Sequence, residues 1–417
     1  MLVRKAYKYE LDPNNSQRTS FFQHTGVARF AYNWGLEQRI NQYKNNHGTA
    51  RFTDAMKQNK ELNLLKKIEF PWMYEHSKCA PQEALRDLHR AFTNFYRGLK
   101  SGQKIGFPRF KKKGIRDSFR LYGSIRFEGR AIRLPRIGKV RIKEKKNTYY
   151  GGSIISVTIT RKVDRWFASI NVEEDIPNPL TSKGSVVGVD LGIKTLATLS
   201  DGSTFSNPRA LEQQRKKMRK LSRKLSRKQA GSKNRENARL KLAKLYLKTF
   251  NIRQDTLHKL TTYLAKNHSK IVIEDLYVSG MLKNRRLARA IADVGFYEFR
   301  RQLEYKCRWY GLELVIAPRM FPSSKKCSRC GHKKKSLALS ERDYKCKQCG
   351  LRIDRDLNTA LNLVTVSLPE TETACGEDVS LLVTPSRMTK EADLCEAGTE
   401  HQLRTSSPRL NKFRETV

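Results

Sequence analysis

A chain of 417 residues is too long for one ordinary core and long enough for two or three domains. Its 84 lysines and arginines outnumber 40 aspartates and glutamates, and a formal charge of +44 repels itself unless a polyanion neutralises it, so nucleic acid is the expected partner. No stretch approaches the roughly 18 to 20 apolar residues that cross a bilayer, and MLVRKAYKYELDPN lacks the apolar core of a secretion signal, so the expectation is a soluble protein of a reducing compartment.

The start of the chain has the pattern of a short strand. From about Ser16 to Tyr43, Phe22, Val27, Phe30, Trp34 and Ile40 fall at roughly helical spacing and predict an amphipathic helix. From Gln82 to Lys100, Leu85, Leu88, Phe92, Phe95 and Leu99 recur at steps of three and four, so one stripe packs while Arg86, Arg90 and Arg97 stay outside it. Together these predict a small helical domain. KIGFPRFKKKG then interleaves Lys104, Arg109, Lys111, Lys112 and Lys113 with Phe107 and Phe110. That mixture binds phosphates and stacks bases, and a solvated basic loop with two buried aromatics explains it equally well. Residues 137–143 and 154–160 alternate with the period of strands, and Trp166, Phe167, Ala168, Ile170 and Val172 continue after a turn at Lys162-Val163-Asp164, predicting a small antiparallel sheet or barrel. Should the N-terminal strand join that sheet, the helical segment becomes an insertion within it. PNPLTSKGS, residues 177–185, reads as a linker and the main boundary.

Beyond it, SVVGVDLGIKTLATLSDG reads as strand, tight turn at Gly192 and strand, with Asp201-Gly202 closing a hairpin. A long basic helical stretch runs from about Leu211 to Lys266, broken near AGSKN into two helices of a hairpin. The charge of residues 214–248 is nearly single-signed, which favours nucleic-acid contact over a merely solvated face. IVIEDL (271–276) is a buried-type strand, a helix follows around Val294 to Tyr310, and LELVIA (312–317) is another strand, an order that argues for an α/β core. From about Val366 the chain turns acidic and polar and predicts a disordered tail.

Eight cysteines could suggest disulfides, yet four form two CxxC pairs, Cys327/Cys330 and Cys346/Cys349, fifteen residues apart and each followed by glycine. That spacing predicts a closed, structural four-thiolate zinc ribbon, with Gly331 and Gly350 permitting the tight knuckle turns. The scattered Cys79, Cys307, Cys375 and Cys395 read as buried thiols or tail residues.

Asp190 ends the apolar run Val186 to Val189, and Glu274 ends Ile271 to Ile273. A charge at the exit of a buried strand is costly unless paired or bound to metal, and a strand-end salt bridge or a helix cap would satisfy either one alone. Asp356, in Asp354-Arg355-Asp356-Leu357-Asn358, is placed to begin the helix carrying Ala360, Leu361 and Leu363; taken alone, an N-cap is its commoner use. Asp275 and Asp354 compete with these as ligands. Phosphodiester cleavage by two Mg2+ ions about 4 Å apart needs hard oxygen ligands on a rigid platform, and Asp190, Glu274 and Asp356 from separate elements meet that need.

GVDLGIKTLAT, IVIEDL, FPSSKKCSRCG, YKCKQCG and IDRDLNTALNL, in that order, resemble the RuvC-type nuclease and zinc-finger signature of the TnpB (OrfB) family of insertion sequences. NIRQDTLHKLTTYLA, EFRRQLEYKCRWYG, VARFAYNWGL and GFPRFKKK extend the resemblance over about residues 1–365. It implies an α/β, ribonuclease-H-like RuvC domain at 181–365 with a zinc finger at about 322–352. Before it would come a wedge-like β-sheet or barrel domain at 1–180, with a helical recognition insertion at about 15–125, so that the chain is α+β overall; 366–417 would be tail.

The implied activity is that of an RNA-guided DNA endonuclease of a transposable element, similar to a compact ancestor of type V CRISPR effectors. Its catalytic aspartate, glutamate and aspartate carry over onto Asp190, Glu274 and Asp356, with Mg2+ or Mn2+ as cofactor and Zn2+ on Cys327, Cys330, Cys346 and Cys349. Lys78 and Gln82 match the family's duplex-reading segment. At helical spacing i, i+4 they could face one groove, glutamine suiting adenine and lysine a guanine or a phosphate, and an exposed helix start is the plainer alternative. The implied partners are a guide RNA from the transposon end and double-stranded target DNA, one chain per RNA, in a prokaryotic cytoplasm at the nucleoid. A catalytically silent RNA-guided binding protein and a RuvC-fold nuclease or transposase working without RNA are the rival readings.

Overall fold

A computed structural model of the chain describes residues 2–45, 54–103, 105–144, 151–176, 184–338 and 341–367. The chain divides into two units, Leu2–Glu174 and a second beginning at Asp175. Most of the predicted linker, 177–183, the predicted tail from 368 onward, Lys104, Cys375 and Cys395 lie outside the described residues.

In the first unit, β1 (Leu2–Asp12) buries Val3, Ala6, Tyr9 and Leu11. Three helices follow: α1 (Asn15–Asn45), α2 (Ala55–Ile68) and, after a 3-10 turn at Pro71–Glu75, α3 (Cys79–Lys100). The chain then lays down β2 (Ser118–Leu121), β3 (Arg126–Glu128), β4 (Ala131–Leu134), β5 (Gly138–Ile142), β6 (Ser153–Lys162) and β7 (Arg165–Asp175). The seven strands run in the order β2-β6-β7-β1-β5-β4-β3. Because β1 sits inside this sheet, the helices are an insertion between one of its central strands and an edge strand.

Two sequence assignments need correction. Phe21, not Phe22, enters the core, leaving Phe22 45% exposed on the flank of α1. The packed stripe of α3 stops short of Leu99, which is 57% exposed, because Gly98 already lies against Ile105.

The second unit begins with β8 (Ser185–Leu191), β9 (Thr195–Leu199) and β10 (Thr204–Ser206), then the basic hairpin of α4 (Ala210–Ser226) and α5 (Lys233–Asn267). The break falls where Ser232 caps α5 by accepting from the Arg235 N–H. After β11 (His268–Glu274) come the short α6 (Val278–Met281), α7 (Ala288–Val294), α8 (Phe296–Tyr310) and β12 (Glu313–Ala317). A cysteine-bearing ribbon with β13 (Asp343–Lys345) and β14 (Arg352–Asp354) leads into α9 (Arg355–Thr365).

The five-stranded sheet has the order β10-β9-β8-β11-β12. β8, β11 and β12 are parallel, whereas β9 and β10 continue from β8 as an antiparallel meander. On one face Val187, Val189, Ile271 and Ile273 share a core with Leu257, Leu260 and Leu264 of α5 and Phe299 and Leu303 of α8. On the other, Val186, Val272 and Ala317 pack against Leu363 of α9. This mixed sheet covered by helices on both faces is the α/β layout expected of a ribonuclease-H-like domain.

Candidate active site

Successive residues of a strand point to opposite sheet faces, and this alternation sorts the acidic side chains. Val187 and Val189 enter the core under α5 and α8, so Gly188 and Asp190 turn to the α9 side. On β11, Ile271 and Ile273 share that core while Val272 meets Leu363, so Glu274 follows Val272 to the α9 side. The parallel register aligns Val272 with Gly188 and Ile273 with Val189. Continued by one residue, it sets Glu274 beside Asp190 on strands about 4.8 Å apart.

Asp356 arrives by a close crossing. A Cβ on Gly188 would lie 2.0 Å from the carbonyl oxygen of Ala360, so only glycine lets α9 pass this near to β8. The first turn of α9 thereby reaches the carboxyl end of β8. Burial lifts the Asp190 carboxyl well above the usual range, and the negative charges of Glu274 and Asp356 lift it further against a smaller opposing pull from Arg355. Three carboxylates thus share one electrostatic environment, and a cation would relieve their repulsion.

The two competitors are otherwise engaged. Asp275 falls on the α8 side, where Arg319 Nη2 at 2.7 Å and Arg300 Nη1 at 3.0 Å hold it and depress its pKa. Asp354, rather than Asp356, caps α9 by accepting from the N–H groups of Asp356 at 2.9 Å and Leu357 at 3.0 Å. Asp356 therefore sits inside the first turn with its carboxylate unused for capping, where Arg355 Nη2 approaches to 3.3 Å and Arg342 Nη1 to 3.8 Å. Glu274 Oε1 accepts from the hydroxyl of Ser323.

The four cysteines of the ribbon form the one group of three or more His, Cys, Asp or Glu among the described residues whose ligand atoms all lie within 4.8 Å of one another. Sulfurs of Cys327 and Cys349 are 3.7 Å apart and those of Cys330 and Cys346 are 3.5 Å apart. A tetrahedral ion with zinc–sulfur bonds of about 2.3 Å needs edges of about 3.8 Å. Gly331 and Gly350 take φ of 72° and 71°, as the knuckle turns require. Backbone N–H groups from Cys349 and Gln348 pull the Cys346 thiol down to about 6, while burial pushes Cys327 up to about 12. A divalent cation would draw all four into the thiolate form, and the donor set fits zinc.

The predicted nucleic-acid residues separate. Lys78 is exposed at the N-cap of α3 and Gln82 is half-buried one turn later. Arg109, Lys112 and Lys113 are exposed, with Phe107 and Phe110 at 46% and 50% exposure rather than buried. Lys111 turns inward: its ammonium lies 4.1 Å from the Tyr32 ring centroid, and its backbone exchanges hydrogen bonds of 2.8 and 3.0 Å with the Asn33 side chain. A cavity of about 720 Å³ lines the flank of α1 with Phe30, Trp34, Phe70 and Trp72; the three carboxylates belong to the second unit and are half-buried. Cys307 is a buried thiol, raised to about 11 by burial, and Cys79 is half-buried. Among the described residues no helix is long and apolar enough to cross a membrane.

Sequence reading missed Ser323, Asn358 and Asn362, all buried beside these groups. Two asparagines one helical turn apart inside DLNTALNL, at positions where asparagine is a poor helix former, are a signal that could have marked them.

The family described as "Probable transposase" matches residues 169–285, "Cas12f1-like, TNB domain" matches 296–363 and "Helix-turn-helix domain" matches 1–48. The described residues of that last stretch form β1 and the single helix α1. A "Putative RNA-guided DNA endonuclease" of Streptomyces pristinaespiralis is 35% identical, over 90% of this chain and 92% of the relative. InsQ of Escherichia coli K12, named in the same words, is 34% identical over 90% of this chain and 94% of the relative. A solved complex of Cas12f1 with guide RNA and target DNA shares the fold, with a TM-score of 0.51 and 16% identity over 84% of this chain and 82% of that one. Matched over 90% of its length by such relatives, this chain belongs to the TnpB (OrfB) family of insertion-sequence proteins.

Proposed function

We propose that the chain is an RNA-guided DNA endonuclease, cutting target DNA with Asp190, Glu274 and Asp356 as ligands for two Mg2+ ions. What supports this reading is that strand parity and register direct Asp190 and Glu274 to one face of adjacent parallel strands and that the charges of Glu274 and Asp356 act on Asp190, while Asp275 and Asp354 are engaged elsewhere. Bound ions would supply activation of a water and stabilisation of the leaving oxygen. The residues of the chain do the positioning. Asp190, whose charge feels both other carboxylates, would hold the ions together with Glu274, which is oriented by Ser323, and Asp356, which is held on a helix locked against β8. Zn2+ on the four cysteines is structural.

In this reading the first unit, a wedge-like sheet with its helical insertion, grips guide RNA and duplex, and the second unit cuts. Guide pairing supplies sequence specificity, and the protein reads backbone shape and a short flanking motif. Lys78 and Gln82 read that motif. The exposed Arg109, Lys112 and Lys113, together with Lys104, contact phosphate, Phe107 and Phe110 offer stacking faces, and Lys111 anchors the segment on Tyr32. The site of action is the prokaryotic nucleoid, with one chain per RNA.

With guide RNA, matched DNA and Mg2+, the wild type should cleave, whereas Asp190→Ala should retain RNA and DNA binding and lose cleavage. Cutting by Asp190→Ala at the wild-type rate would remove this centre from the mechanism.

A further inference from the structure

Glu274 and the helix that carries Asp356 are both hydrogen-bonded to the segment that leads into the cysteine knuckle. Asn358 and Asn362, both fully buried, lie one turn apart on the flank of α9, the helix that carries Asp356. Asn358 grips the first knuckle from both sides. Its Nδ2 donates to the Lys326 carbonyl at 2.8 Å, and its Oδ1 accepts from the Ser328 N–H at 3.0 Å, the two residues that flank the ligand Cys327. Asn362 Nδ2 donates to the carbonyls of Lys326 at 2.6 Å and Ser323 at 2.7 Å. Ser323, itself 5% exposed, donates its hydroxyl to Glu274 Oε1.

The bonds form a continuous path from Asp356 along α9 to Asn358 and Asn362, through the backbone of residues 323–328, to Glu274. Meanwhile Gly188 lets the same helix press against the strand of Asp190. A carboxylate in a repelling cluster has every reason to rotate away, and the path supplies the restraint. The knuckle also restrains the path. Cys327 N–H donates to the His332 carbonyl at 2.9 Å and Gly331 N–H to the Cys327 carbonyl at 3.0 Å, so the turn that presents the Lys326 carbonyl is the turn that gathers the sulfurs.

We infer that the cysteine ribbon is a clasp that fixes the spacing between Glu274 and Asp356, with Ser323, Asn358 and Asn362 as its positioning residues, so that filling the thiolate site tunes divalent-ion affinity at the carboxylates. This rests on the proposed carboxylate ion site. It assigns to the ribbon a role inside the nuclease centre in addition to local stability.

The test is calorimetric titration of the full chain with Mn2+, alongside its melting temperature. Ser323→Ala should weaken Mn2+ binding by about 10- to 100-fold, the usual loss when a group supporting a metal ligand is removed, with an unchanged melting temperature, and Ser323→Thr, which keeps the hydroxyl, should restore affinity. Wild-type protein stripped of zinc by a chelator that is then removed should lose Mn2+ affinity and regain it when Zn2+ is returned. A merely structural ribbon would lower the melting temperature without a split between Ala and Thr at Ser323. Wild-type Mn2+ affinity in Ser323→Ala or in the zinc-stripped chain would overturn the clasp while leaving the carboxylate site standing. Absence of Mn2+ binding by the wild type would overturn both.

Discussion

Asp190 holds its position at an energetic cost. Its folded carboxyl titrates above the unfolded value, first because it is buried and then because Glu274 and Asp356 face it. For such a group the stabilising contribution is fully present below the unfolded pKa of about 4 and is lost as pH rises through the folded value. In Mg2+-free buffer, Asp190→Asn should therefore melt above the wild type at pH 7, with a margin that narrows as pH falls toward 4. Equal melting temperatures at both pH values would mean that neither burial nor the facing carboxylates raise the Asp190 carboxyl in the folded protein. Asp190 and Glu274 stood out in the sequence because a charge closing an apolar run is anomalous, whereas Asp356 closes no such run. The choice among neighbours was not visible there. Whether Glu274 or Asp275 faces the centre is decided by strand parity, which becomes firm only when Ile271 and Ile273 are seen in the core and Arg319 and Arg300 are seen on Asp275. The cap of α9, which the sequence pattern offered to Asp356, is made by Asp354 instead.

Among the helices and strands, the crossing of α9 over β8 matters most to the centre. Gly188→Ala places a methyl group against the backbone of Ala360, and because backbone cannot rotate aside, the helix must shift. Overpacking of this kind costs about 1–3 kcal/mol. The expected result is a lower melting temperature together with a fall in cleavage larger than stability alone explains, because Asp356 rides on the displaced helix. Normal cleavage in a destabilised Gly188→Ala would detach Asp356 from the centre. The helices α1 and α3 were legible from apolar residues at helical spacing, the α4–α5 hairpin from its long basic stretch broken near AGSKN, and β8 and β11 from their short apolar runs. The short α2 and the strands β2, β3 and β4 were not. The helix AMKQNKELNLLKKI buries only Ala55, Gln58, Leu62 and Lys66, and strands of three or four residues offer too few alternations to detect.

Across the chain as a whole, the excess of positive charge has a place to act. Lys216, Lys217, Lys220 and Lys224 are exposed on α4, so reversing three of them to glutamate should flatten the plot of log affinity for nucleic acid against log salt by about 0.9 for each phosphate left without its lysine. An unchanged slope would mark that face as solvated only. The carboxylate centre itself is tested most directly by anomalous diffraction from crystals of the chain holding Mn2+. Two peaks about 4 Å apart are expected, both touching Asp190, with Glu274 on one and Asp356 on the other; peaks elsewhere, or carboxylates turned from a common centre, would contradict a shared two-ion site.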